Sequence, residues 1–95
     1  MMAQKKDKTI VVDVYADQCQ SCRVQAPILE ELRAEQQSAD IIFVKVNFDD
    51  EKDFLRANSV DRRSTVLVFK GTNEVARSVA VTNRRRLRRL VLEAL

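Results

Sequence analysis

The 95-residue sequence predicts an α/β fold, a mixed four-stranded sheet flanked by helices in the order β-α-β-α-β-β-α. Three observations carry that prediction. Two strand-like runs, Ile10 to Ala16 and Ile41 to Asn47, flank an amphipathic helical stretch, the pattern of parallel strands joined by a right-handed crossover. Two further runs, Thr65 to Lys70 and Glu74 to Val81, are separated by Gly71-Thr72-Asn73, which suits an antiparallel hairpin. The chain then closes with a helix whose apolar residues share one stripe.

Each element has its own signature. Ile10 to Ala16 reads Ile-Val-Val-Asp-Val-Tyr-Ala, a nearly continuous β-branched and apolar run that fits a central strand covered on both faces. From Ser21, Val24, Ile28, Leu29 and Leu32 recur at spacings of three and four, with Glu30, Glu31, Arg33 and Glu35 on the other face. Pro27 falls inside this helix and removes one amide hydrogen bond, so a kink is expected there. After the second strand, Asp50 or a neighbour caps a short helix through Asn58, with Phe54 and Leu55 facing inward. Thr82 or Asn83 caps the last helix, whose stripe is Leu87, Leu90, Val91, Ala94 and Leu95.

Length and composition describe a single domain spanning 1–95, with 45% hydrophobic and 33% charged residues. No apolar run approaches the roughly 20 residues that a membrane-spanning helix needs. The N-terminal stretch shows no secretory h-region, so the sequence as written is expected in the cytoplasm, with the periplasm as the alternative if a leader was removed. The basic excess lies entirely beyond residue 71, in Arg77, Arg84, Arg85, Arg86, Arg88 and Arg89.

The chemistry concentrates in Cys19-Gln20-Ser21-Cys22, where a buried strand ends and a helix begins. Unpaired amides and the positive end of the helix dipole stabilise a thiolate at that position, which marks Cys19 as the nucleophile. Cys22, one turn further in and expected to be more buried, is the resolving thiol. A structural zinc site within one chain lacks ligands, because the sequence has no histidine and no third cysteine. Asp13 interrupts a strand otherwise fit for burial, so it needs a raised pKa or a cationic partner, which Lys45 can supply.

From Ile10 to Leu95 the chain resembles the thioredoxin family. The resemblance is carried by Val11-Val12-Asp13-Val14-Tyr15-Ala16-Asp17-Gln18-Cys19-Gln20-Ser21-Cys22, Ala26-Pro27-Ile28-Leu29-Glu30-Glu31-Leu32, Val44-Lys45-Val46-Asn47-Phe48-Asp49 and Val66-Leu67-Val68-Phe69-Lys70. It implies a thioredoxin-like fold and a protein-disulfide oxidoreductase working through a redox-active Cys19–Cys22 pair. It also implies a buried carboxylate at Asp13 that moves protons beneath the disulfide, and Lys45 as its partner. Gln18, Arg63, Ser64 and Thr65 are the residues it places against a substrate.

The departures from the family pattern are specific. Gln18-Cys19-Gln20-Ser21-Cys22 stands where thioredoxins typically carry Trp-Cys-Gly-Pro-Cys. Ser64 stands at the family's cis-proline; a non-proline cis bond costs about 2.5–4 kcal/mol, so a trans peptide is expected, or a strained cis one held by its surroundings. Arg63 is expected near Cys19, where a guanidinium would stabilise the thiolate and make the pair a better oxidant. Val81 is read as occupying a usual glycine position beside the active site. The family's first strand and helix have no evident counterpart, which exposes a sheet edge and makes a second copy of the chain a candidate partner.

The leading function is therefore thiol–disulfide oxidoreduction, with a protein disulfide as substrate, a redox-recycling partner, and no cofactor beyond the disulfide itself. No membrane and no nucleic acid is expected among the partners. The alternatives are a dimer in which two chains hold zinc or an iron–sulfur cluster through four thiolates, and a thioredoxin-like binding module with little redox activity, acting through its arginine-rich helix. A glutaredoxin-like role is less favoured, because the Thr-Val-Pro and paired-glycine glutathione contacts are missing.

Overall fold

The computed structural model describes residues 8–35 and 41–94. Its elements are β1 (Thr9–Tyr15), α1 (Gln20–Glu35), β2 (Ile41–Asn47), α2 (Lys52–Ala57), β3 (Thr65–Lys70), β4 (Asn73–Val79) and α3 (Arg84–Leu92). This is the expected order. The strands form one sheet in the order β2-β1-β3-β4, with β1 and β2 parallel and the other two pairs antiparallel.

The continuous apolar run of β1 is explained by its position between β2 and β3, where both faces are covered. Val11 packs with Ile28, Leu29 and Leu32 of α1, Val66 and Val68 of β3, and Leu87 and Val91 of α3. Val12 and Val14, in the second core, pack with Val46, Leu55, Val60 and Leu67. The strand thus feeds two cores, one beneath α1 and α3 and one beneath α2. At the outer side of the described sheet, Ile42 and Val44 of β2 are 40% and 38% exposed.

Local predictions meet the structure unevenly. The buried stripe of α1 is Cys22, Gln25, Ile28, Leu29 and Leu32, and Val24, expected inward, is exposed. Pro27 lies at an exposed position and the helix runs through it unbroken; the carbonyl left without an amide partner is that of Arg23, also exposed. Asp50 does not cap α2: Glu51 occupies the cap position without a side-chain bond, and Asn47 organises the turn by accepting the Asp49 amide at 2.8 Å. Phe54 is half-buried and Leu55 is buried, as expected. The cap of α3 is Asn83, whose Oδ1 accepts the Arg86 amide at 2.9 Å. Leu95 of the predicted stripe lies outside the described residues.

The hairpin is tighter than expected. Asn73 pairs with Lys70, leaving Gly71-Thr72 as the loop, and Gly71 carries the left-handed φ of 65° that a two-residue hairpin asks of its first position. β4 ends at Val79 rather than Val81 because Ala80 turns the chain out of the strand with φ 56°. Ser59 and Ser64 take the other positive-φ positions among the described residues.

The basic excess of α3 is partly neutralised inside the molecule. Arg84 donates to Glu31 at 2.5 and 3.0 Å, and Arg88 donates to Glu35 at 2.8 and 3.1 Å, tying α3 to α1. The Arg84 hydrogen bond holds the Glu31 carboxyl below its usual range. These groups are solvent-facing, so the pairs add alignment more than stability.

Candidate active site

β1 delivers the chain to the site. After Tyr15 the backbone passes through a turn at Asp17 and Gln18, and α1 opens at Gln20 with Arg23 donating its amide to the Cys19 carbonyl at 3.1 Å. Cys19 therefore sits at the helix N-terminus. It is disulfide-bonded to Cys22, with Cα atoms 5.2 Å apart. The Cys22 amide donates to Cys19 Sγ at 3.2 Å, so a first-turn N–H of the helix points at the sulfur that would carry negative charge on reduction. The two cysteines differ little in exposure, 8% and 6%, so burial does not distinguish nucleophile from resolving thiol. Helix-terminal placement does. Ala16 completes the buried cluster, with Tyr15 and Phe48 packed around it.

Ser64 comes from the opposite side. The peptide bond before it is trans and its φ is 60°. Its amide donates to the Val14 carbonyl at 2.9 Å, and its carbonyl accepts the Ala80 amide at 3.0 Å and Gln25 Nε2 at 3.1 Å. Held by these bonds, the buried Ser64 places its Oγ 3.0 Å from Cys19 Sγ, 3.1 Å from Cys22 Sγ and 2.6 Å from Ser21 Oγ. A proline at this position would have supplied no hydroxyl. The residue expected to line the substrate side places its hydroxyl against both sulfurs of the disulfide.

Gln25 is fully buried and was not anticipated from the sequence. Besides the Ser64 carbonyl, its Nε2 donates to the Val81 carbonyl at 2.8 Å, so one amide group clamps α1 to the loops on either side of the β3–β4 hairpin. The available signal was its phase: position 25 shares the stripe of Ile28, Leu29 and Leu32, and a polar residue there requires internal partners.

Asp13 is buried beneath α1, 8% exposed, in register with Lys45 on the adjacent strand. Desolvation raises its pKa and the Lys45 charge partly opposes that rise. Its Oδ1 has no hydrogen-bond partner among the described residues. It lines a cavity of about 280 Å³ together with Leu29, Glu30, Arg33, Phe43 and Lys45. Lys45 itself is exposed, with its Nζ 5.1 Å from the centre of the Tyr15 ring.

The remaining predicted residues divide. Gln18 is exposed in the turn before Cys19. Arg63 is exposed and stacks over Phe48 at 5.9 Å; it reaches the cysteine cluster through that ring rather than through a bond to sulfur. Thr65 is buried and donates its hydroxyl to the Arg62 carbonyl at 2.8 Å, so its side chain secures the loop. Val81 is half-buried against the core under α1 and α3, and the left-handed position that favours glycine falls one residue earlier, at Ala80.

The family model described as Thioredoxin matches residues 2–93. The chain belongs to the thioredoxin family. It is 38% identical over 74 residues to "Thioredoxin-1" of Saccharomyces cerevisiae, covering 78% of this chain and 70% of that one. It is 35% identical over 82 residues to "Thioredoxin" of Chlamydia pneumoniae, covering 86% and 78%. Among solved structures, Fasciola hepatica thioredoxin superposes with a TM-score of 0.85 at 30% identity, covering 99% of this chain and 88% of that one. Trxlp from Edwardsiella tarda gives 0.84 at 33% identity, with 95% and 89% covered. Within this thioredoxin fold, Cys19 and Cys22 stand at disulfide distance in the spacing of a thiol–disulfide oxidoreductase.

Left-handed backbone at a non-glycine residue costs roughly 1–2 kcal/mol. Ala80→Gly is accordingly expected to raise stability by about 1 kcal/mol, or about 4–8 °C in Tm, in a thermal melt. A melt that does not move would show that Ala80 carries no such strain.

Proposed function

We propose that the chain reduces protein disulfides through Cys19 and Cys22, with Cys19 as nucleophile. The observation that carries this reading is the Cys19 sulfur at the N-terminus of α1, accepting the Cys22 amide. In the dithiol form the Cys19 thiolate attacks one sulfur of a substrate disulfide, and the departing sulfur leaves as a thiolate that takes a proton from water. Cys22 then loses its proton and attacks Cys19 Sγ, closing the Cys19–Cys22 bond and releasing the second substrate sulfur. Two electrons pass to the substrate. A dithiol reductant returns the pair to its starting state, and no other cofactor takes part.

Asp13 and Lys45 enter this proposal as a proton-handling pair, supported by the burial of Asp13 and by the cavity it shares with Lys45. The substrate chain lies over the open surface formed by Phe48, Asp61, Arg62, Arg63 and Ala80. Both cysteines of the chain belong to this pair, leaving none for a structural disulfide, which suits a reducing cytoplasmic setting.

The test is reduction of insulin by dithiothreitol, followed as turbidity. The wild type is expected to accelerate precipitation well beyond dithiothreitol alone. No acceleration by fully reduced protein would sink the reading.

A further inference from the structure

We propose that Ser64 and Ser21 form a hydroxyl relay that hydrogen-bonds the reacting sulfurs and gives the proton released by Cys22 on resolution a second way out, besides the Asp13–Lys45 pair. This rests on the redox role of the pair but not on protein disulfides as its substrate.

Proton counting limits the direction of each bond. Disulfide sulfurs carry no hydrogen and can only accept. Ser64 Oγ has one proton and three neighbours within reach, Cys19 Sγ at 3.0 Å, Cys22 Sγ at 3.1 Å and Ser21 Oγ at 2.6 Å. Either Ser64 donates to a sulfur and accepts from Ser21, or it donates to Ser21, which in turn donates to Cys19 Sγ at 3.7 Å. Among the described residues, Ser64 Oγ, Ser21 Oγ and the Cys22 amide are the hydrogen-bond partners of the two sulfurs. Ser64 is buried while Ser21, on the first turn of α1, is partly exposed, so the chain of hydroxyls runs from the sulfurs towards solvent.

On reduction, the neutral acceptor becomes a thiolate, and the Ser64 O–H bond to it becomes charge-assisted and roughly twice as strong. The hydroxyl thus favours the reduced pair over the disulfide. During resolution, the Cys22 proton passes to Ser64 Oγ as Ser64 passes its own to Ser21 Oγ, and Ser21 releases one to water. The Cys22 sulfur, now a thiolate, forms the bond to Cys19 Sγ while the Cys19–substrate bond breaks. One proton enters the chain of hydroxyls from Cys22, one leaves at the other end, and both hydroxyls are restored with their directions reversed.

Backbone at φ 60° suits glycine, so Ser64→Gly deletes the hydroxyl without adding strain, and Ser64→Ala deletes it with strain retained. Both are expected to shift the equilibrium with glutathione about tenfold towards the disulfide at pH 8. Agreement between the two assigns the shift to the hydroxyl. Reaction of the reduced protein with 5,5′-dithiobis(2-nitrobenzoate) separates the two steps: Cys19 attack releases a first thionitrobenzoate and Cys22 attack a second. Ser21→Ala, which cuts the outlet of the relay, is expected to slow the second phase about three- to tenfold, and to slow it more than the first.

An equilibrium within twofold of wild type in Ser64→Gly overturns the proposal, as does a Ser21→Ala variant whose two phases keep their wild-type ratio. If Ser64→Gly does not fold, the Ser21→Ala phases decide alone. Because the probe is a small aromatic disulfide, wild-type protein that reacts with it but leaves insulin unreduced would refute the proposed substrate and leave the relay standing.

Discussion

Cys19→Ser is expected to lower disulfide reduction by on the order of 10³-fold or more, whereas Cys22→Ser stops the cycle half-way, with substrate sulfur held on Cys19. The asymmetry follows from position, since the two residues are almost equally buried. Cys19 lies ahead of the first turn of α1 and its sulfur accepts a helix amide; Cys22 lies within the turn and supplies that amide. Charge on Cys19 therefore meets the positive end of the helix, and charge on Cys22 does not. Mass spectrometry of each variant after exposure to a disulfide substrate reads the outcome. A stable adduct on Cys19 in the Cys22→Ser protein is the expected result. Comparable adducts on Cys22 in the Cys19→Ser protein would reverse the assignment.

The second large effect is on stability. Burial raises Asp13 above its ordinary value of 3.8, with the Lys45 charge pulling the other way. Between that ordinary value and the raised native one, the folded protein holds a proton that the unfolded chain has released, so stability falls as pH rises through the window. Whatever Asp13 contributes is fully present below 3.8 and lost above its native value. Asp13→Asn removes the charge and keeps the shape. It is expected to gain about 1–3 kcal/mol at pH 8, or about 5–15 °C in Tm, and to gain progressively less as the pH is lowered. Thermal melts from pH 3 to 8 check this. A pH-independent difference would mean that the effect is packing rather than ionisation.

A protein that keeps a destabilising carboxylate in its central strand is trading stability for something local to the site. Asp13 shares its cavity with Lys45, Glu30 and Arg33, in a lining otherwise made by Ala26, Leu29, Phe43 and Val44. At about 280 Å³ it is wide enough for several waters, each taking about 30 Å³.

The fold and the reactive pair were both legible in the chain. β1 and β3 announce themselves because strands covered on both faces must be apolar at nearly every position, and Val11, Val12, Val14, Val66, Leu67 and Val68 meet that demand without alternation. Cys19 and Cys22 were legible for a different reason, since a strand-to-helix junction supplies its own electrostatics whatever surrounds it. Val24 misled because it lies four residues before Ile28, a spacing that also fits the stripe actually begun by Cys22 and Gln25.

What the sequence determined by itself was the order of elements, the two-sided burial of β1 and the helix-terminal position of Cys19, because these depend on local pattern and on bonds within a single turn. Only the tertiary structure decided what surrounds the sulfurs. Ser64 lies 45 residues from Cys19 in the chain and reaches it through bonds to Val14, Ala80 and Gln25, from three other parts of the fold. No pattern along the chain encodes that meeting. It exists because the packing of α1 against the sheet sets the distance, and a left-handed backbone at Ser64 brings the hydroxyl against both sulfurs.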